Sequence, residues 1–404
     1  MPWKEHRTVD LKREFVLAAM SPGANVAQLC RQYEISRNNG YKWIRRFRED
    51  GETGLEERSR RPRRISGTDG ETMLRLIELR RKYPWGAKKL RKLLADEMGN
   101  GAPSIKTVAR ILDRAGEPRV RKPKRRLRMI TREHEQLDAK APHDVWTVDF
   151  KGWWRTRDRK RFEPLTVRDA FSRFVLCLEM LGSTKADVVK PAFERLFQTC
   201  GLPAVIRVDN GAPFACTSAP AGLSRLSAWW TSLGIRVSFS RPAHPQDNGA
   251  HERMHADVAA ELECDPAASR EVQQRAADRW RHVYNEIRPH EALKMRTPAS
   301  LYSRSPRRFR GIRPPVYPPT HAVRQVSQRG CVHYSNRLVF VSESVAGYDV
   351  GLQRTRHGKL AVRFYNLSLG FFDLASAPLH HKPPLISRDQ YPTRRLAHLT
   401  PTNL

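Results

Sequence analysis

The sequence contains no long hydrophobic run. Across its 404 residues nothing approaches the roughly 18 consecutive apolar residues of a membrane-spanning helix, so no span is expected. The opening residues, Met1 to Arg7, lack the apolar core of a signal peptide, and export is not expected either. Cysteine is sparse: Cys30, Cys177, Cys200, Cys216, Cys264 and Cys331 are scattered and form no Cys-x-x-Cys pair. That pattern argues against a disulfide framework or a cysteine zinc site, and for the reduced thiols of a cytoplasm. Acids are outnumbered, 42 Asp and Glu against 74 Lys and Arg, for a formal net charge of +32. An excess of that size predicts a polyanionic partner. With no span or leader in view, nucleic acid is favoured over a membrane surface. The length suggests about two to four domains.

The chain is organised around Arg241-Pro-Ala-His-Pro-Gln-Asp-Asn-Gly-Ala-His-Glu-Arg253, which reads as a strand end, a Pro-rich loop and a helix starting near Asn248. Met254, Val258 and Leu262 mark the buried stripe of that helix. Glu252 lies about 160° from Met254 and faces away from the stripe. Acids also favour helix N-termini for electrostatic reasons, so Glu252 alone fits a surface role equally well. Two upstream strands add to it. In Val145–Phe150, alternation puts Trp146, Val148 and Phe150 on one face and Val145, Thr147 and Asp149 on the other. The second strand ends at Asp209, before the turn signal Asn210-Gly211. A carboxylate inside an apolar strand is costly unless paired, although Asp before Asn-Gly also suits a turn. Two strands and a helix can converge three acids, whose repulsion a divalent cation relieves. An oxygen-only set of this kind suits Mg2+ or Mn2+.

These segments resemble the signature blocks of the integrase-core transposases, bacterial insertion-sequence enzymes related to retroviral integrases. The blocks are Thr147-Val-Asp149-Phe150, Val208-Asp-Asn-Gly-Ala-Pro-Phe214 and His244-Pro-Gln-Asp-Asn-Gly-Ala-His-Glu-Arg253. The tail Tyr284-Asn-Glu-Ile-Arg-Pro-His-Glu-Ala-Leu293, then Thr297-Pro298, is similar to the segment after the catalytic helix. The resemblance implies an α/β RNase H-like core with a mixed five-stranded sheet and a DDE triad of Asp149, Asp209 and Glu252. It also implies two Mg2+ (or Mn2+) ions, bridged by Asp149 and each completed by one other acid. The reaction implied is hydrolysis of phosphodiester bonds to free 3′-OH ends, then joining of those ends to target DNA. The implied partners are the element's terminal inverted repeats, target DNA and further copies of the chain in a homo-oligomer on DNA, with no membrane. His244 and Asn248 are candidate phosphate contacts, although His244 before Pro245 and Asn248 as a helix cap also fit plain loop structure. The chain departs from the family in the 42 residues between Asp209 and Glu252, more than is usual, with the excess at Cys216–Gly222. The N-terminal His/Cys zinc module of retroviral integrases has no counterpart. A catalytically inactive helix-turn-helix regulator, or a metal-dependent nuclease without strand joining, remain alternatives on the residues alone.

The expected architecture is multidomain: N-terminal all-α helix-turn-helix domains, the α/β core and a C-terminal small β-barrel. Residues 1–66 read as a helix-turn-helix domain and basic linker. Its third helix, capped by Ser36, turns Tyr41, Ile44 and Phe47 inward and offers Arg37, Asn38, Asn39 and Lys42 to a DNA groove. An ordinary three-helix bundle with a solvated basic face is the plainer possibility. In the linker run Arg58–Arg64, Arg60, Arg61 and Arg63 are candidate phosphate or minor-groove contacts, or simply solvated charge. Residues 67–118 carry a second helical pattern, with Leu90, Leu93 and Leu94 on one helix. Ile105, Val108, Ile111 and Leu112 mark another, capped by Ser104. This is a second helix-turn-helix or a helical spacer. Residues 119–142 form a basic, Pro-interrupted linker.

The catalytic core is placed at 143–305, in the order β-β-β-α-β-α-β-α. Asp169 reads as a turn former at Arg168–Arg173, and Asp144, Asp257, Glu261 and Glu263 as surface or helix-face acids. Alternating apolar residues over 320–375, with a hairpin turn at Arg356–Lys359, predict the small barrel. Residues 376–404 lack pattern and are expected to be disordered. The cytoplasm, at the bacterial nucleoid, is the expected location.

Overall fold

The computed structural model describes residues 8–57, 68–118, 138–240 and 249–373. The chain divides into two compact units, 1–70 and 71–404. No helix among the described residues is long and apolar enough to cross a membrane.

The first unit is a three-helix bundle of α1 (Thr8–Ala19), α2 (Val26–Gln32) and α3 (Arg37–Asp50). Asn25 caps α2, its side chain accepting from the Ala27 and Gln28 N–H groups, and Ser36 caps α3 by accepting from Asn39. Phe15, Val16, Cys30, Trp43, Ile44 and Leu55 form the core. Tyr41 is not inward as expected: it is 59% exposed, and Trp43 takes its place. The cause is Gly40. A side chain there would strike Cys30 Sγ and Phe15, so this bare spot receives both, and the buried stripe runs through 40, 43 and 44.

In the second unit, α4 (Gly70–Lys82), α5 (Ala87–Met98) and α6 (Ile105–Arg114) enclose Leu76, Leu79, Tyr83, Trp85, Leu90, Leu94, Val108 and Leu112. Ser104 caps α6 as expected. This cluster does not stand alone. Val283 and Ile287, on a π-helical turn far along the chain, pack against it, and Lys88 pairs with Glu291 at 2.9 Å.

The core sheet comprises β1 (Val145–Phe150), β2 (Trp154–Arg155), β3 (Arg161–Asp169), β4 (Val175–Leu181), β5 (Val205–Val208) and β6 (Arg236–Phe239). It is mixed, as expected, with the two-residue β2 as a sixth strand. β1 pairs antiparallel with β3 and parallel with β5, β4 lies on the other side of β3, and β6 runs parallel beside β5. α7 (Ala186–Cys200) and α8 (Arg225–Ser232) cover one face, burying Trp146, Val148, Phe193, Phe197 and Trp230. α9 (Gly249–Val258) and α10 (Arg270–His282) cover the other, through Met254, Val258, Ala277 and Trp280. The free side of β4 is occupied by side chains. Gln274 pairs with the Met180 N–H and Leu178 carbonyl, Arg281 donates to the Leu176 carbonyl, and Asn285 pairs with both backbone groups of Val175.

The C-terminal strands are β7 (Ala322–Gln325), β8 (Cys331–Tyr334), β9 (Arg337–Phe340), β10 (Asp349–Arg354), β11 (Leu360–Phe364) and β12 (Leu367–Phe372). They do not close into the expected barrel. β12-β11-β10-β7 form an open four-stranded sheet, and β8-β9 pair only with each other. Closure is not needed to bury the apolar face, because Val332 and Val339 of the hairpin and Leu223 and Ala228 of the core already cover it.

Docking of the α4–α6 bundle on Val283 and Ile287 predicts that a chain starting at residue 138 is less stable than one starting at residue 68. The loss should be on the order of 2–4 kcal/mol for the uncovered apolar surface. Calorimetric melting of the two chains checks this, and equal melting temperatures would show that the docking contributes nothing.

Candidate active site

β1 and β5 are adjacent and parallel, with Thr147 opposite Arg207. Continuing that register brings Asp149, at the end of β1, level with Asp209, the residue after β5. The alternation expected of β1 holds. Trp146 and Val148 enter the core on the α7–α8 side, while Thr147 turns toward α9 and contacts His251. Asp209 is exposed at the turn. Asn210 ties the turn to the Ser240 carbonyl at 2.6 Å, and a Cβ on Gly211 would come within 3.0 Å of Asp209 Oδ2, so glycine lets the backbone pass close over the carboxylate. Glu252 is exposed on the first turn of α9.

Asp209 and Glu252 both lie within electrostatic reach of Asp149. Burial raises the Asp149 carboxyl from its ordinary range to about 7, and the Asp209 and Glu252 charges add to the rise against an opposing backbone hydrogen bond. Among the described residues, however, no group of three or more His, Cys, Asp or Glu side chains is arranged to hold a metal ion. The fit to a divalent cation is therefore one of donor type and mutual repulsion, not of a closed cage.

Side chains that the sequence did not single out join α9 to the strands. His251 is fully buried. Its Nδ1 lies 2.8 Å from Thr147 Oγ1 and its Nε2 lies 2.6 Å from Thr166 Oγ1. One turn on, His255 Nε2 lies 2.8 Å from the same Thr166 oxygen, and its Nδ1 lies 3.9 Å from Asp149 Oδ2. Thr166, opposite Asp149 on β3, donates to the Asp149 carbonyl at 2.8 Å. The buried Arg168 guanidinium donates to the Ala250 carbonyl at the start of α9. Burial holds His251 well below its ordinary pKa and lowers His255 to about 3, with Lys151 and Arg168 adding, so both are neutral near pH 7. The available signal was the spacing of four between the two histidines, one of them next to Glu252. The Thr166 contact could not be read locally, because it comes from another strand.

The remaining acids are accounted for. Asp169 is fully buried and caps its turn, as expected, accepting from the His143 and Ser172 N–H groups and the Ser172 hydroxyl. Asp144 caps a turn through the Lys140 and Ala141 N–H groups, and Asp257 pairs with Arg288 at 2.8 Å. Glu261, on the helical turn after α9, is half-buried: it accepts from Trp280 Nε1 at 2.9 Å, and burial raises its carboxyl. Glu263 pairs with Lys151 at 2.8 Å. In the first unit Arg37, Asn38 and Asn39 are exposed on α3, whereas Lys42 is half-buried with its ammonium 4.7 Å from the Trp43 ring centre. Arg60, Arg61, Arg63, His244 and Asn248 lie outside the described residues.

Asp149 generates a pH prediction. Its carboxyl binds a proton more readily folded, at about 7, than unfolded, near its ordinary 3.8. Ionising it therefore costs stability, a penalty absent below pH 4 that grows to its full size above pH 7, up to a few kcal/mol. Metal-free protein should lose this much between about pH 4 and 7, most of it already visible on going from pH 5 to pH 8. Asp149→Asn should remove that part of the slope and raise the melting temperature at pH 8, and Mg2+ should stabilise the wild type there but not the variant. Melting curves at both pH values, with and without Mg2+, give the answer.

Comparison with known proteins places the chain. Two integrase core domain models match residues 139–245 and 233–298. A helix-turn-helix domain model matches 11–63 and a homeodomain-like domain model matches 39–112. An uncharacterized 39.2 kDa protein of insertion element IS476 from Xanthomonas euvesicatoria is 27% identical over 235 residues, 56% of this chain and 63% of that protein. The chain thus spans under two thirds of that relative. An uncharacterized 31.7 kDa protein of insertion element IS407 from Burkholderia multivorans is 29% identical over 231 residues, 56% of this chain and 79% of that protein. Among solved structures, the HTLV-2 integrase catalytic core domain in complex with magnesium aligns over 41% of this chain and 100% of its own length, at 16% identity and a TM-score of 0.32. With integrase-core matches running from residue 139 to 298 behind helix-turn-helix matches, the chain carries an integrase core domain behind helix-turn-helix domains and is similar to the proteins of insertion elements.

Proposed function

We propose that the chain is a transposase that binds the ends of an insertion sequence, hydrolyses phosphodiester bonds there to free 3′-OH ends, and joins those ends to target DNA at the nucleoid. The observation that carries this reading is the Asp149 carboxyl, level with Asp209 and sensitive to the charges of both Asp209 and Glu252. Asp149, Asp209 and Glu252 are the catalytic acids. Together they would hold two Mg2+ or Mn2+ ions, whose chemistry would be to activate the attacking oxygen and stabilise the leaving one.

The rest of the work falls to the chain's own residues. Asp149 would have to be ionised to hold a cation, and its raised carboxyl ties that to pH. Arg37, Asn38 and Asn39 on α3 present donors to base edges and phosphates in a major groove. Lys106 and Arg110, exposed on α6, offer a second contact on the bundle docked to the core. The net charge of +32 supplies attraction to DNA of any sequence. Two element ends need two active sites, so the working species is a homo-oligomer assembled on DNA.

Asp149→Asn, Asp209→Asn and Glu252→Gln should each lower cleavage and joining on the order of 10³-fold or more, because a lost ligand forfeits several kcal/mol in the transition state. End binding should survive. Cleavage and strand-transfer assays on a fragment bearing the inverted repeats, with Mg2+, measure both steps. Near wild-type cleavage by Glu252→Gln would sink the triad, and cutting without joining would leave a nuclease.

Arg37→Ala and Asn39→Ala should relax base preference at a cost of about 1–3 kcal/mol each, if they touch base edges. Competition between end and scrambled DNA at two salt concentrations separates that loss from a uniform one due to phosphate contacts.

A further inference from the structure

We infer that His251 and His255 are positioning residues that hold α9 to the sheet through one shared hydroxyl, that of Thr166, and thereby set Glu252 relative to Asp149; this rests on the triad reading above. Donor counting decides the arrangement. A threonine hydroxyl has one proton and two lone pairs. Thr166 Oγ1 meets three partners: the Asp149 carbonyl at 2.8 Å, His251 Nε2 at 2.6 Å and His255 Nε2 at 2.8 Å. A carbonyl only accepts, so the single proton goes to Asp149 and both ring nitrogens must donate. A neutral imidazole protonated on Nε2 leaves Nδ1 bare.

His251 Nδ1 then accepts from the Thr147 hydroxyl at 2.8 Å, nearer than that hydroxyl's other acceptor, the Arg168 carbonyl at 3.3 Å. His255 Nδ1 is left facing Asp149 Oδ2 at 3.9 Å. No other pair of tautomers satisfies Thr166. The main chain of Asp149 is thus linked to the residue before Glu252 by only two hydrogen bonds, both through one buried oxygen. Supports of this kind hold a ligand in the orientation its metal needs.

The test uses the full chain, with Mn2+ as the calorimetric probe and melting as the measure of folding. Thr166→Val keeps the shape and removes the hydroxyl, and Thr166→Ser returns it. Thr166→Val should weaken Mn2+ binding on the order of 10-fold or more. It should move the metal concentration for half-maximal cleavage by the same factor while changing the rate at saturating metal much less. Thr166→Ser should restore the wild-type midpoint. If Thr166→Val does not fold, His255→Phe, which removes one donor, is compared in the same way. A lowered melting temperature with an unchanged Mn2+ midpoint would overturn the inference and leave the histidines as plain core packing. Wild-type Mn2+ binding that is indifferent to Asp149→Asn would instead overturn the triad itself.

Discussion

Asp149 and Asp209 become neighbours because β1 and β5 run side by side in the same direction, each reaching the same edge of the sheet in the same register. That parallel pairing requires a long return path through β3, β4 and α7, and it requires apolar cover on both faces. α7 and α8 supply one cover and α9 with α10 the other. The cover on the second face also brings Glu252 within electrostatic reach of Asp149, so the helix that would complete the proposed site is the one that seals the sheet. Core packing and site assembly are one constraint here.

An acidic site inside a strongly basic chain is electrostatically unusual. Asp209 and Glu252 oppose the charge of Asp149 locally, while the chain as a whole carries a net charge of +32. Lys151 and Arg168, which act on His255, have partners of their own: Lys151 is engaged by Glu263 and Arg168 donates to the Ala250 carbonyl. The residual repulsion is held in place by uncharged contacts: two neutral imidazoles and two threonine hydroxyls. Neutral partners would suit the proposed metal site, since a fixed cation there would compete with a metal for the same carboxylates.

Much of this could be read in the sequence, for definite reasons. Alternation in Val145–Phe150 assigned Asp149 to the face opposite Trp146 and Val148, since a strand has one side-chain period and both faces were chemically distinct. Asp169 was recognisable as a turn former because its partners lie within a few residues or at the strand end beside it. What escaped notice depends on contacts between distant segments. Thr166 becomes important only because β3 pairs with β1, and Glu261 becomes a half-buried acceptor because α10 brings Trp280 to it. The docking of the α4–α6 bundle rests on Val283 and Ile287, which look like ordinary helix positions until the helix is placed. Tyr41 was misassigned for a smaller reason. A glycine can centre a buried stripe while contributing no hydrophobicity to it. The barrel failed because alternation reports which residues are buried, not whether the outer strands meet.

The side chains laid along β4 have a consequence for how copies of this chain can meet. Gln274, Arg281 and Asn285 occupy backbone donors and acceptors that an open sheet edge would offer to any extended peptide. A second molecule cannot extend the sheet there without first prising α10 away. Along this flank, recognition between copies must rely on matching side-chain relief, which is selective for sequence. Backbone zippering, which is not selective, is closed off, and with it one route by which nascent chains sharing a polysome could tangle.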